Sequence, residues 1–145
     1  MNKHKVISFF MAIVIASVLI LPASAEEVTA IDKGQDAIDY VDLLRISTNL
    51  SINGTTATCM GRAMTATSSN TVRLKMYLQR KSGNTWYTVA NWAVSGLGGN
   101  YVTLLKAKTG LSFGFYRIYL YVAVYDANGA LVESTSIYSN IEYVG

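Results

Sequence analysis

The residues of this sequence best suited to contact a ligand are tyrosines and basic residues that alternate along two segments. Flat aromatic faces beside hydrogen-bonding groups suit sugar rings, and cations next to tyrosines suit anionic polymers. The alternative is that these tyrosines only pair across neighbouring strands and shield one another, since tyrosine is common in β-sheets. The candidate binding residues are Arg73, Lys75, Tyr77, Arg117, Tyr119, Tyr121 and Tyr125.

Residue types that carry out most enzyme chemistry are scarce. The only histidine is His4, which lies in a segment expected to be removed, so the usual zinc sites and histidine-dependent triads are excluded from the mature protein. A glycosidase requires two facing carboxylates, but Asp126 and Glu133 flank a predicted turn and are expected to be exposed. We therefore expect a protein that is not an enzyme and that has no metal and no cofactor.

One short motif has a possible metal interpretation. Asp126-x-Asn128-Gly129 resembles the start of a calcium-binding loop. Residues 130–132 are Ala, Leu and Val, where such a loop needs further oxygen ligands. An Asn-Gly pair between two alternating segments is instead typical of a hairpin turn, which is the structure we predict.

The N-terminal segment has the three parts of a cleavable export signal. Basic residues at positions 3–5 precede an apolar run over 6–21, and Pro22 then precedes the small residues Ala23-Ser24-Ala25, which signal peptidase accepts. The apolar run is shorter than the roughly 20 residues of a spanning helix. We predict that residues 1–25 are removed and that the mature protein is secreted, extracellular or cell-wall associated, with no membrane span. The alternative is an uncleaved N-terminal anchor.

Acidic and basic residues are unevenly distributed over the expected mature chain. Residues 26–145 contain ten Lys or Arg and nine Asp or Glu, but six of the nine acids lie within 26–42. Residues 43–125 contain nine bases and no acid. We interpret residues 26–44 as an acidic flexible leader and residues 45–145 as a single domain. The leader either lies on the basic body or is simply exposed to solvent.

Beyond the leader, apolar and polar residues alternate with a period of two, the pattern of half-buried strands. With turn signals about every eight to twelve residues and no long helical pattern, this predicts an all-β, antiparallel, immunoglobulin-like sandwich of about seven or eight strands. In such a fold the segments 71–80 and 114–125 pair, which places the candidate binding residues on one outward face. The predicted strands span residues 46–52, 56–65, 71–80, 86–92, 101–105, 114–125, 131–138 and 141–144.

Two further features bear on the fold. Leu111, Gly114 and Tyr116 resemble the tyrosine corner of immunoglobulin-like and fibronectin-type sandwiches, in which the phenol bonds to upstream backbone, although Phe113 replaces a common proline. Cys59 is the only cysteine, so no internal disulfide can form. We expect Cys59 to be buried, and the alternative is an intermolecular disulfide.

The body of the chain also resembles a group of small exported proteins from Gram-positive bacteria that has no assigned function. The resemblance covers most of residues 40–140 and implies an origin but no mechanism. It rests on Leu50-Ser51-Ile52, Ala57-Thr58-Cys59-Met60-Gly61, Gly83-Asn84-Thr85-Trp86, Trp92 and Gly114-Phe115-Tyr116-Arg117.

These observations favour a secreted, non-catalytic binding or cell-surface-associated module. Its candidate partners are a glycan, an anionic cell-wall polymer or another surface protein. The alternative is a secreted effector or antimicrobial-type protein that acts on membranes or competitor cells, with the acidic leader as a mask. Nucleic acid is not an expected partner, because the mature chain has a net charge near +1 and strong phosphate binders carry a large basic excess.

Overall fold

The structure is a computed structural model that describes residues 42–145. The predicted export signal and residues 26–41 of the predicted leader lie outside the described residues. Within 42–145, no helix is long and apolar enough to span a membrane. This part of the chain forms the strands β1 (Leu43–Asn53), β2 (Thr56–Thr65), β3 (Thr71–Ser82), β4 (Thr85–Leu97), β5 (Tyr101–Lys108), β6 (Gly114–Tyr125), β7 (Leu131–Tyr138) and β8 (Glu142–Val144).

The strands form two antiparallel sheets. Sheet A has the order β1-β2-β5, and sheet B has the order β4-β3-β6-β7, with β8 also paired to β6. β8 pairs with the first residues of β6 and β7 pairs with the remainder, so both occupy the same side of that strand. The prediction of an all-β antiparallel sandwich is confirmed, as is the predicted pairing of the segments 71–80 and 114–125, which form β3 and β6.

Alternation along the strands places one set of apolar side chains between the two sheets. Cys59 belongs to this core and is fully buried, as predicted, and burial raises the pKa of its thiol to about 12. Thr48, the one polar residue that faces inward at the centre of β1, is satisfied because its hydroxyl donates to the carbonyl of Met60 at 2.8 Å. The core includes Ile46, Leu50, Val72, Leu74, Met76, Leu78, Val102, Leu104, Ile118, Leu120, Val122 and Val124.

Four strands, β1, β3, β4 and β5, are longer than the sequence pattern predicts. β1 begins at Leu43, three residues before the alternation becomes visible at Ile46. β4 continues to Leu97, although the Gly-rich sequence from Gly96 was predicted as a loop. Glycine suits this position of the strand because the side chain of Val102 in sheet A lies close to it. A Cβ at Gly96 would lie 2.9 Å from Val102 Cγ2.

The start of the domain is fixed by Asp42. Its carboxylate accepts hydrogen bonds from the backbone N–H of Thr67 at 2.9 Å and from the side chain of Asn70 at 2.8 Å. Its own backbone N–H and that of Leu43 donate to the Glu133 carboxylate in β7. Burial alone would raise the pKa of Asp42, but the hydrogen bonds from Thr67 and Asn70 outweigh burial and lower it. The chain therefore enters sheet A at a defined point.

The predicted turns and the predicted tyrosine bond are present. The Asp126 carboxylate accepts the backbone N–H groups of Asn128 and Ala130, both at 2.9 Å, which closes the β6–β7 hairpin. The Tyr116 hydroxyl donates to the carbonyl of Ser112 at 2.7 Å, and the ring is buried. Both contacts hold the ends of β6, the strand that carries most of the candidate site.

Candidate functional site

The seven candidate residues all lie on the outer face of sheet B, on the two central strands β3 and β6. The alternation that points Leu74, Met76 and Leu120 into the core points these side chains away from it. Register places them in rows across the sheet: Tyr77 lies opposite Tyr119, and Arg73, Lys75 and Thr71 lie opposite Ala123, Tyr121 and Tyr125. The structure therefore brings the predicted residues together.

Three tyrosines form a continuous row across β3, β6 and β7. The ring centroids of Tyr77 and Tyr119 are 5.8 Å apart, and those of Tyr119 and Tyr138 are 5.3 Å apart, both in tilted arrangements. Such geometries stabilise aromatic pairs beyond the area that they bury. Tyr119 thus sits between two rings, and Tyr138 forms the half-exposed end of the row.

Arg117 joins this row to the opposite edge of the sheet. Its guanidinium carbon lies 4.0 Å from the Tyr138 ring centroid and 4.3 Å from that of Trp86 in β4. Its Nε donates to Gln79 Oε1 at 3.0 Å. A guanidinium that contacts two rings and an amide is held in one orientation, so Arg117 serves more to order the face than to reach a partner.

Two exposed cations lie next to tyrosines further along the strands. Arg73 is exposed, with its guanidinium carbon 5.4 Å from the Tyr125 ring centroid and its Nε 3.4 Å from Ser95 Oγ. Lys75 is exposed beside half-buried Tyr121. Arg73 and Lys75 are therefore exposed cations of this face, and Tyr125 and Tyr121 lie beside them.

The tyrosines are less accessible than the sequence pattern predicts. Tyr77, Tyr119, Tyr121 and Tyr125 are half-buried, not fully exposed, and the rings of Tyr77 and Tyr119 contact each other. The alternative interpretation, that the tyrosines shield one another across strands, thus describes part of their environment. Lys75 and Arg73 keep the exposure expected of them.

The electrostatic character of the face follows from which residues it lacks. None of the outward positions of β3, β4, β6, β7 and β8 holds an Asp or Glu, within the part of the chain that the structure describes. The four acids of residues 42–145 lie elsewhere and accept hydrogen bonds from nearby donors. The outer face of sheet B is therefore a basic surface with no carboxylate to neutralise it.

In the β6–β7 turn, Asp126 acts as a turn residue. Asp126 Oδ1 already accepts two backbone N–H groups of the turn. Among residues 42–145, no group of three or more His, Cys, Asp or Glu side chains is placed to hold a metal ion.

Sequence reasoning missed two members of the site, Trp86 and Tyr138. Trp86 lies opposite Lys81 because the β3–β4 hairpin turns through only two residues, Gly83 and Asn84. A two-residue turn of this kind fixes the register of the strands beside it, so the turn sequence was a signal for this pairing. Tyr138 lies opposite Tyr119, a pairing that depends on a register irregularity in β7 next to Tyr125. That irregularity leaves no signal in the sequence.

No protein-family model matches this chain, and no curated protein matches it either.

Proposed function

We propose that this protein is a secreted, non-catalytic binding module and that the outer face of sheet B contacts an anionic cell-wall polymer or a glycan. The observation that carries the proposal is an ordered aromatic and basic surface with no acid on it. Arg117 fixes its geometry through Trp86 and Tyr138, while Arg73 and Lys75 remain exposed for contact. Anionic polymers pair with such cations, and sugar rings stack on the neighbouring phenol rings.

We also infer that the sandwich is immunoglobulin-like. The order β1-β2-β5 corresponds to strands A, B and E of that fold, and β4-β3-β6-β7 corresponds to C′, C, F and G. The hydrogen bond from Tyr116 to Ser112, at the start of the strand that corresponds to F, supports a tyrosine corner. Folds of this kind support many unrelated functions. The fold is therefore compatible with a binding role but does not by itself indicate one.

A second candidate function has its own supporting observation. Four large apolar side chains are exposed near the β6–β8 end of sheet B, and the rings of Phe115 and Tyr143 are in contact with centroids 4.9 Å apart. An apolar end next to a basic face suits an anionic membrane surface, as an effector acting on membranes would require. The four residues are Phe113, Phe115, Ile141 and Tyr143.

Retention on insoluble cell walls and on polysaccharides, measured across a salt series, tests the proposal. Binding that weakens with salt indicates an anionic polymer on Arg73 and Lys75, whereas salt-insensitive binding indicates stacking of sugars on the tyrosines. Binding to anionic lipid vesicles, measured in parallel, tests the membrane hypothesis separately. Absence of retention on walls and polysaccharides would contradict the proposed function.

Matched tyrosine variants locate the surface. Tyr121→Ala removes a ring that contacts no other ring among the described residues, so it should weaken retention and leave the fold intact. Tyr119→Ala is expected to disturb the sheet as well, because that ring lies between Tyr77 and Tyr138. Tyr101→Ala, on the outer face of sheet A, is the control and should not change retention.

A further inference from the structure

Within residues 42–145, the strand orders of the two sheets end at β1, β5, β4 and β7, and three of these edges carry features that hinder pairing with another chain. The edge of β1 is bonded by the side chains of Glu133 and Asn140. β5 contains Lys106 and Lys108 in its last residues, and β7 contains Glu133 and a register irregularity. Charged side chains, irregular pairing and covering groups are the usual means by which proteins protect an exposed strand edge.

The fourth edge strand, β4, differs from these three. Its 13 residues include no charged residue and no proline. In the part of the chain that the structure describes, no strand pairs with the side of β4 that faces away from β3. The register irregularity at Leu78 and Gln79 leaves residues 90–97 in continuous register with residues 71–78. An edge of this kind presents a row of backbone N–H and C=O groups to which an extended chain can add as a further strand.

On its inner side, β4 offers apolar surface that its own domain covers only in part. Ala90, Trp92 and Val94 pack against the core but are half-buried. β5, which contacts β4 across the sandwich, is the last strand of sheet A on this side. A strand added at β4 would therefore place every second side chain beside Trp92 and Val94.

On its outer side, β4 is flanked by cations of β3. Lys75 lies opposite Ala93, and Arg73 lies opposite Ser95. Arg73 Nε lies 3.4 Å from Ser95 Oγ, so the arginine side chain reaches over β4 towards the edge. Because Ala93 and Ser95 are small, they leave both exposed cations within reach of a chain that pairs with β4.

Two further cations lie on the inner side, on β5. Lys106 and Lys108 share the face of β5 that carries the core residues Val102 and Leu104, yet both lysines are exposed. Since they face sheet B and still reach solvent, they lie where the space between β5 and β4 opens. β3, β4 and β5 contain no Asp or Glu. The edge of β4 is therefore neutral itself and lies between two groups of positive charge.

This charge distribution decides which occupant fits the edge. A second copy of this chain, paired through β4, would bring Lys106 and Lys108 of both copies to the same joint, where like charges oppose association. A chain with acidic side chains meets cations on both sides of the edge instead. Charge complementarity thus favours an acidic partner over a second copy.

We propose that β4 binds an extended acidic segment of another protein by strand addition. The backbone of the segment bonds to the free side of β4, its apolar side chains face Trp92 and Val94, and its acidic side chains face Arg73 and Lys75. The preferred segment is therefore one in which acidic and apolar residues alternate. This inference goes beyond the proposed binding function, because it concerns a strand edge and a peptide rather than a sheet face and a polymer.

Fluorescence anisotropy of labelled peptides tests this proposal with the protein as expressed from residues 1–145. The probe is a synthetic peptide of about eight residues, the length of an ordinary strand, in which Glu alternates with Val. A peptide of the same composition, with all Glu before all Val, has the same charge but cannot place its acids on one face of a strand. We expect this blocked peptide to bind about tenfold more weakly than the alternating one. Equal affinities would show attraction by charge alone and would overturn strand addition.

Variants of β4 locate the site. Ala93→Asp places a negative charge at the edge and should weaken binding of the alternating peptide about tenfold. Asn91→Asp makes the same change of charge on the same outward face with almost no change of shape, so a folding defect in the first variant does not decide the test. Ala127→Asp, in the exposed β6–β7 turn, is the control and should bind as the unsubstituted protein does. Equal binding by all three variants would contradict a site on β4.

Sedimentation velocity of the same proteins tests the other occupant. A dimer that Ala93→Asp dissociates, with no binding of the alternating peptide, would assign the edge to a second copy and overturn the proposal. Arg73 and Lys75 are shared with the proposed binding face of sheet B. The peptide assay contains no wall polymer or glycan, so either proposal can fail while the other stands.

Discussion

The side-chain amide of Asn140 pairs with both backbone groups of Leu50. Asn140 Oδ1 accepts the Leu50 N–H at 3.0 Å, and Nδ2 donates to the Leu50 carbonyl at 2.8 Å. Leu50 lies in β1 at the edge of sheet A, and Asn140 lies between β7 and β8 at the edge of sheet B. Glu133 of β7 accepts backbone N–H groups at the other end of β1. Side chains of sheet B thus satisfy a strand edge that would otherwise be open to another chain.

The first prediction concerns this edge contact. Asn140→Ala leaves the N–H and the carbonyl of Leu50 without their partner and should lower the free energy of unfolding by about 1–3 kcal/mol. Urea unfolding followed by tryptophan fluorescence measures the change. Asn91→Ala, an exposed amide on edge strand β4, is the control and should change stability by no more than about 0.5 kcal/mol. Equal losses in the two variants would show that the Asn140 contact contributes nothing specific.

The second prediction is a dependence of stability on acid. The pKa of Asp42 is below its usual 3.8 in the folded protein because hydrogen bonds from Thr67 and Asn70 outweigh burial. Its carboxylate therefore stabilises the fold above about pH 4, and this contribution is lost as the pH falls through the lower, folded pKa. Asp42→Asn should reduce stability at neutral pH and flatten the loss on acidification in urea unfolding between pH 2 and 7. Asp126→Asn is the control. If Asp42→Asn and the unsubstituted protein lose the same stability as the pH falls, the Asp42 carboxylate does not stabilise the fold in this way.

A third prediction concerns alkaline pH. Burial raises the pKa of the Cys59 thiol from 9.0 to about 12, so between these values the unfolded thiol ionises while the folded thiol stays protonated. Stability should fall in this range by at most about 1.4 kcal/mol per pH unit from this group. Cys59→Ala should remove that part of the slope, although lysines and tyrosines contribute to the remainder. If the slopes of the two proteins coincide above pH 9, the thiol does not ionise preferentially in the unfolded state.

The fourth prediction tests the close approach of the two sheets. A Cβ at Gly61 in β2 would lie 2.7 Å from Leu120 Cδ1 in β6. Gly61→Ala should therefore cost about 1–3 kcal/mol of stability through overpacking. Combining it with Leu120→Val should cost less than the sum of the two single changes, because the smaller side chain makes room. Additive losses in a double-mutant cycle would show that the two positions do not compete for space.

Period-two alternation was sufficient to predict most of the sandwich. It identified β2, β6 and β7 with the bounds that the structure has, and it predicted the pairing of β3 with β6. Alternation works here because each strand buries one face against the other sheet and leaves the other face to solvent. It also placed Cys59 in the core and the seven candidate residues on one face.

Contacts between distant segments could not be predicted in this way. Glu133 and Asn140 each bond to β1 across about ninety residues of sequence, and polar side chains of this kind look like ordinary surface residues. Trp86 and Tyr138 join the site only through the registers of β4 and β7. Alternation reports which face a residue occupies, but the position along the neighbouring strand depends on turns and irregularities.

The most direct test of the binding face is retention on purified cell walls by two charge-matched variants. Arg73→Ser with Lys75→Ser removes two cations from the outer face of sheet B, and Lys106→Ser with Lys108→Ser removes two cations from β5 of sheet A. Net charge changes equally, so a difference between the variants reports position. The account predicts that the sheet B variant loses retention at physiological salt while the sheet A variant keeps it. Equal retention by the two variants would contradict a binding face on sheet B.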